Sequence, residues 1–195
     1  ELVRRVPAIT TVVQNVNTRQ TNVILGEEER TLYGPGFILD TLCGLSFRIS
    51  SQSFYQVNAA QAETLYDAAI SLAGLDGTQA VLDAYCGTGT IGLVAASRGA
   101  GRVIGVDSVE AAIRDARQNA RHNGIENAEF TAEDATAFMG RLAQGDASGS
   151  GAQDAQGAQG EVVLFMDPPR AGATEEFLDA AARLAPDRIV YISCN

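Results

Sequence analysis

From residue 80 to residue 193, short apolar runs alternate with helix-length amphipathic segments, and no other feature of the chain constrains its fold as strongly. "AVLDAYC" (80–86), "RVIGVD" (102–107), "AEFTA" (128–132), "VVLFMD" (162–167) and "RIVYIS" (188–193) read as strands. Their near-continuous apolar character predicts burial on both faces, the mark of a parallel sheet rather than a half-solvated antiparallel one. Between them "TIGLVAASRG", "VEAAIRDARQNARHNG", "DATAFMGRLA" and "TEEFLDAAARLA" carry apolar residues at helical spacing. Parallel strands joined by helices take right-handed crossovers, so the expected architecture is α/β, a doubly wound, Rossmann-like sheet with helices on both faces. One further helix precedes the first strand. It covers "AAQAETLYDAAISLAG" (59–74), with Asn58 as cap, Ala62, Leu65, Tyr66, Ala69 and Ala73 on one face, and Gly74 at its end. Ser108 is the expected cap of the helix that Gly124 stops, and Pro186 ends the last helix.

Residues 1–52 follow another pattern. "AITTVVQNV", "TNVILG", "RTLYGPGFIL" and "LSFRIS" are short β-rich runs separated by Asn, Gly and Pro, which predicts a small antiparallel sheet with hairpin turns. The chain is thus expected to divide into a small β-rich subdomain (1–52) and a larger α/β domain (53–195). Within the latter, residues 144–160, "QGDASGSGAQDAQGAQG", hold almost nothing to bury and are expected to be a disordered loop rather than a substrate-contacting lid.

A hydrophobic content of 46% over 195 residues supports one real core. No apolar run approaches the length of a membrane span, and no basic-then-apolar signal segment opens the chain. It begins at Glu1 rather than Met and is expected to be an excised piece, monomeric, of a longer protein. Cys43, Cys86 and Cys194 are distant and odd in number, so neither a disulfide framework nor a metal-ligand spacing is present, and a reducing cytoplasm is the expected home. His122, near a helix end, reads as a surface cap that meets the negative end of the dipole. The net charge is −10, and all 14 basic residues are Arg. Five Arg offset five acids in residues 1–52, so the whole excess lies in residues 53–195. That balance argues against a strong non-specific grip on a phosphate backbone, though a separate module can supply one.

"DAYCGTGTIG" (83–92) places Gly87, Gly89 and Gly92 between a strand and a helix, and Asp107 ends the next strand twenty residues after Gly87. Glycines let backbone amides and a helix N-terminus approach a ligand, and the acid can accept hydrogen bonds from ribose hydroxyls. A nicotinamide dinucleotide satisfies the same pattern. Asp83, just before the loop, tips the balance: it repels a pyrophosphate and suits a cationic amino group, as in S-adenosylmethionine. The competing view makes Asp83 a solvated turn acid. Asp134, after the third strand, stands where an adenine amino group can be read, and is equally a good helix cap.

On the opposite side of the expected crevice, "DPPRAG" (167–172) ends the fourth strand. Two prolines hold the chain extended and present Asp167 at the carboxyl edge, where α/β sheets bind ligands. Cys194 follows the fifth strand. A cysteine at a strand end is usually inert packing, as expected of Cys86 in the glycine loop. At this rim, with Asp83, Asp107 and Asp167, Cys194 can instead serve as a nucleophile if neighbours lower its pKa, and Arg170 is the one basic candidate nearby.

Together, "SFYQVNAAQAETLY", "VLDAYCGTGTIGL", "GVDSVEAAIRDARQNARHNGIENAEF", "MDPPRAG" and "YISCN" resemble the RNA uracil-C5 methyltransferase family, over nearly the whole chain. "VVQNVNTRQTNVILG" is similar to the β-rich segment of bacterial members acting on large-subunit ribosomal RNA. Adenine-N6 and glutamine methyltransferases instead carry an aromatic after the prolines and lack the cysteine. The resemblance implies S-adenosylmethionine as cofactor and an RNA substrate, ribosomal first and transfer RNA second. It implies contacts to the cofactor from Gln56, Tyr85, Gly87, Asp107, Asp134 and Asp167, with Cys194 as the nucleophile that adds to C6 of uracil. Many members carry Glu where Asp107 stands; either can hold two ribose hydroxyls. The family continues past "SCN" to a glutamate general base, and many members carry an N-terminal RNA-binding barrel. Without that base the piece is expected to be inactive. Rival expectations are a nicotinamide-dependent oxidoreductase and a non-catalytic module that binds cofactor or RNA.

Overall fold

The computed structural model describes residues 1–18, 25–26, 28–145 and 160–193. Most of the 144–160 stretch, part of "TNVILG", and Cys194 itself lie outside the described residues. After a one-turn helix α1 (Leu2–Arg5), strands β1 (Val12–Val16) and β2 (Glu28–Tyr33) pair antiparallel, as do β3 (Phe37–Leu42) and β4 (Leu45–Ser50). These are two separate pairs rather than the one small sheet expected from the sequence. The "GPG" between β2 and β3 explains the break. Gly34 and Gly36 both sit at positive φ around a proline, which turns the chain out of one pair and into the next.

Helix α2 (Ala59–Ala73) follows, and then β5 (Ala80–Ala84), α3 (Thr90–Ser97), β6 (Arg102–Asp107), α4 (Glu110–His122), β7 (Ala128–Ala132), α5 (Ala135–Ala143), β8 (Val162–Met166), α6 (Glu175–Leu184) and β9 (Arg188–Tyr191). The five strands form one parallel sheet in the order β7-β6-β5-β8-β9. The order reverses between β5 and β8, which opens a crevice at the carboxyl ends of those two strands.

Period-two alternation sends successive strand residues to opposite helical layers. Val81, Val103, Val163 and Phe165 pack with α2, α3 and α4, while Leu82, Ile104, Leu164 and Met166 pack with Phe138, Met139 and Phe177 of α5 and α6. Each such buried large side chain contributes roughly 1.5–3 kcal/mol relative to exposure. The expected ends of α2 are observed: Asn58 accepts from the Gln61 N–H, and Gly74 is left-handed. On its face Ala62, Tyr66, Ala69 and Ala73 are buried, but Leu65 is not; it sits one step off the stripe, 39% exposed. Ser108 does not cap α4 either. Val109 holds the cap position with no side-chain cap hydrogen bond, and Asp107 Oδ1 accepts the Val109 N–H at 2.8 Å just ahead of the helix. His122 closes α4 in its last turn, exposed, as expected.

Candidate cofactor crevice

The loop between β5 and α3 is held in an unusual backbone. Tyr85, Gly87 and Gly89 all have positive φ, of 64°, 54° and 78°. For Tyr85, the one side chain among them, this is a strained conformation of the kind that concentrates at functional sites. A Cβ on Gly87 meets nothing within 4 Å, so this face of the loop is open to a ligand. A Cβ on Gly92 would come within 2.7 Å of Asp83 Oδ2, so the third glycine serves helix–strand packing instead.

Asp83 departs from its expected role. It is 1% exposed, and its Oδ2 accepts the Gly92 N–H at 2.8 Å. The side chain turns back under the first turn of α3 and anchors the loop from behind rather than facing a ligand's amino group. Burial pushes its pKa up to about 7; the Gly92 hydrogen bond opposes this, and the Asp167 and Asp107 carboxylates add to it. The unfolded chain ionises such a group near pH ~4. Asp83 therefore contributes stability that is full below pH ~4 and is lost as the pH rises towards about 7. In urea unfolding, Asp83→Asn is expected to flatten the fall of stability across that window by up to about 1.4 kcal/mol per pH unit. Parallel wild-type and variant curves would contradict it.

Asp107, half-buried, accepts the Gly87 N–H at Oδ2 (3.0 Å) and the Val109 N–H at Oδ1 (2.8 Å). A carboxylate has about four acceptor sites, so two remain for hydroxyl donors of a ribose. Tyr85 stacks obliquely on Phe177, with ring centroids 5.4 Å apart. Burial raises its hydroxyl pKa, and the nearby Asp134 carboxylate adds to the shift. Asp134 itself is exposed and caps α5, accepting the Ala137 N–H at 3.0 Å. Asp167 is half-buried beside the end of β5, where its N–H meets Ala84 O at 3.5 Å, and burial raises its pKa. Arg170, three residues on, is exposed. Cys86 is buried, and burial holds its thiol well above the usual range, as suits a packing residue.

Gln56 lies half-buried just before α2. That helix ends beside the start of β9, where Arg188 donates to Gly74 O at 3.3 Å, so its N-terminus points to the carboxyl rim. Tyr66, placed by the sequence only on a packing face, ties α2 to the crevice: its hydroxyl meets Thr90 Oγ1, at the start of α3, at 3.1 Å. Burial pushes its pKa up to about 12, with the Thr90 bond opposing and Asp167 and Asp83 adding. Alongside β8 the last described turn continues in register, Ile192 N–H to Met166 O at 2.9 Å. Cys194 lies two residues beyond, outside the described residues.

The rim thus gathers Tyr85, Gly87, Asp107, Asp134 and Asp167 around one open loop. Its carboxylates disfavour a pyrophosphate and suit a cation with hydroxyl and amino donors. Among the described residues, no cluster of three or more His, Cys, Asp or Glu could hold a metal ion.

Comparison with known proteins agrees with this chemistry. Residues 75–148 match a family model described as a methyltransferase domain. An uncharacterized RNA methyltransferase of Lactiplantibacillus plantarum is 46% identical over all 195 residues, and one of Halalkalibacterium halodurans is 43% identical over 192. The chain spans 40% and 39% of the length of these two curated relatives. In structure it is similar to the Pyrococcus abyssi tRNA (uracil-54, C5)-methyltransferase solved in complex with S-adenosyl-L-homocysteine. That likeness has a TM-score of 0.71 and 31% identity, over 95% of this chain and 41% of that one. A putative S-adenosylmethionine-dependent methyltransferase of Streptococcus mutans shares the fold, with a TM-score of 0.58 and 15% identity over 84% of this chain and 43% of that one.

Proposed function

We propose that this chain, 46% identical over all its residues to an uncharacterized RNA methyltransferase and similar in structure to a methyltransferase solved with S-adenosyl-L-homocysteine, belongs to an S-adenosylmethionine-dependent RNA methyltransferase that methylates C5 of uracil. The observation that carries the choice of uracil is the 31% identity, across 95% of the chain, to an enzyme named for uracil C5. Bound S-adenosylmethionine supplies an electrophilic methyl group on a sulfonium. Asp107 would take its ribose hydroxyls and Asp134 its adenine amino group, while Gln56, Tyr85, Gly87 and Asp167 would complete the contacts.

Uracil C5 is too poor a nucleophile to be methylated unaided. Addition of the Cys194 thiolate to C6 would form a C–S bond and turn C5 into an enolate carbon able to take the methyl group, the sulfonium S–CH3 bond breaking to leave S-adenosylhomocysteine. Loss of the C5 proton to a base then breaks the C–S bond and frees the thiolate. The target base must leave its stack to reach such a crevice.

The test uses RNA containing 5-fluorouridine, in which fluorine replaces the proton that must leave. The full-length protein with S-adenosylmethionine is expected to be trapped as a covalent adduct that survives denaturing electrophoresis. No adduct would sink the covalent mechanism. Radiolabelled S-adenosylmethionine, and not NAD, is expected to bind the chain; the reverse would favour an oxidoreductase. Ribosomal RNA is the proposed substrate, on the likeness of "VVQNVNTRQTNVILG" to large-subunit enzymes. Mapping 5-methyluridine in cells lacking the protein is expected to show loss at a ribosomal site, and loss from transfer RNA alone would reassign it.

A further inference from the structure

Helix α4 and its C-terminal cap carry three polar side chains at intervals of four, Asp115, Asn119 and the cap residue Asn123, and all three face β4. Asn123 accepts the Ser46 N–H at 2.9 Å and donates to Ser46 O at 2.8 Å. Asn119 accepts the Arg48 N–H at 2.7 Å and donates to Arg48 O at 3.2 Å. Asp115 accepts both the Ser50 N–H and the Ser53 hydroxyl at 3.0 Å. Four helical residues rise about 6 Å, and two strand residues rise about 6.6 Å. The helix and strand therefore stay in step over three rungs, with helix numbers rising as strand numbers fall. Along this edge α4 takes the place of a neighbouring strand, and its carboxamides stand in for peptide groups. It covers the donors and acceptors that an edge would leave unpaired.

The middle rung reaches further. Asn119 Nδ2 also donates to Thr88 O at 3.3 Å, inside the glycine loop. Asn119 is fully buried and Thr88 is 1% exposed. The Thr88 hydroxyl is buried with no hydrogen-bond partner among the described residues, which leaves the carbonyl as that residue's polar tie to α4. The hydrogen bonds of Asn123 end at Ser46 and at its own helix, on Asn119 O.

We propose that Asn119 is a positioning residue that couples the β3–β4 hairpin to the cofactor loop. Gly87 and Gly89 flank Thr88 at positive φ with no side chain to restrict them. Holding the carbonyl between them fixes the peptide plane that joins Thr88 to Gly89, whose N–H donates to Cys86 O at 2.8 Å, and with it the turn that shapes the loop. A displacement of the hairpin is thereby felt at the cofactor. The effect on cofactor binding rests on reading this loop as the S-adenosylmethionine site.

Asn119→Asp and Asn123→Asp test it together. Each keeps the acceptor for the β4 N–H and turns the donor into a second oxygen facing a carbonyl, but only position 119 touches the loop. By calorimetry, Asn119→Asp is expected to weaken S-adenosylhomocysteine binding about 10-fold or more, and Asn123→Asp by less than about twofold, while both lower stability to urea. Amide exchange of Gly87 and Gly89 without ligand is expected to quicken in the first variant only. Equal weakening in both variants, or unchanged affinity and exchange in Asn119→Asp, would overturn the coupling. Should Asn119→Asp fail to fold, Asn119→Ala, which removes the donor without adding an acceptor, carries the same comparison. If the wild-type chain binds no S-adenosylhomocysteine, the cofactor reading falls, and the exchange comparison still decides the coupling.

Discussion

Cys194→Ser in the full-length protein is expected to abolish the 5-fluorouridine adduct and to lower methyl transfer by about 10⁴-fold or more, as removal of a nucleophile does elsewhere. A serine hydroxyl is almost never ionised near neutral pH, and an alkoxide adds poorly to C6 of a pyrimidine, so no second route activates C5. Binding of S-adenosylmethionine is expected to be unchanged, because none of the groups proposed to hold it is altered. That separation is the diagnostic: affinity kept, chemistry lost. Adduct formation that survived Cys194→Ser would remove the assignment of the nucleophile. A parallel loss of cofactor affinity would point to a structural part for the thiol. Covalent labelling by iodoacetamide gives a further check. Cys86 is buried with its thiol held well up, and burial also raises that of Cys43, so both are expected to react slowly.

The sheet was legible because its strands are buried on both faces, and such strands must be apolar whatever else the protein does. "VVLFMD" and "RVIGVD" could scarcely be anything else. The rim followed from topology, since Asp107 and Asp167 stand at the carboxyl ends of β6 and β8, the two strands that flank β5 in one parallel sheet. What stayed hidden depends on where a side chain turns. Asp83 looked ligand-facing by position, yet a carboxylate beneath a helix's first turn finds a backbone donor nearer than any ligand, and the Gly92 N–H captures it. Ser108 offered the usual capping hydroxyl, but α4 begins one residue later than that requires, with Val109 at the cap position and no side-chain cap. The ladder from Asp115 to Asn123 was invisible for another reason. Polar residues every four positions look like a solvated helix face, and only the β4 edge lying against them makes the spacing meaningful. Tyr66 shows the same blindness: its ring obeyed the apolar stripe, while its hydroxyl reached Thr90.

Asp107→Ala is expected to have the second-largest effect, a fall in S-adenosylmethionine affinity of about 10²-fold, from hydrogen bonds to a charged group worth about 1.5–3 kcal/mol each. Two losses combine. The carboxylate no longer takes the ribose hydroxyls, and the Gly87 N–H loses its partner at 3.0 Å, so the loop itself slackens. Asp107→Asn separates them. An asparagine keeps one acceptor for a backbone N–H but turns a donor towards the N–H of either Gly87 or Val109 and offers the ribose fewer acceptor sites, so it is expected to lose nearly as much affinity while keeping more of the fold. Asp107→Glu retains the charge and both oxygens on a longer arm, and is expected to cost less than about 10-fold. The order Glu, then Asn, then Ala, read by calorimetry with S-adenosylhomocysteine, distinguishes a ribose acceptor from a residue that only braces the loop. A purely bracing role would instead track the variants' unfolding midpoints, with Asn close to wild type. A ligand that contacts neither ribose nor Gly87 would leave all three affinities equal, and that result would remove Asp107 from the proposed cofactor site.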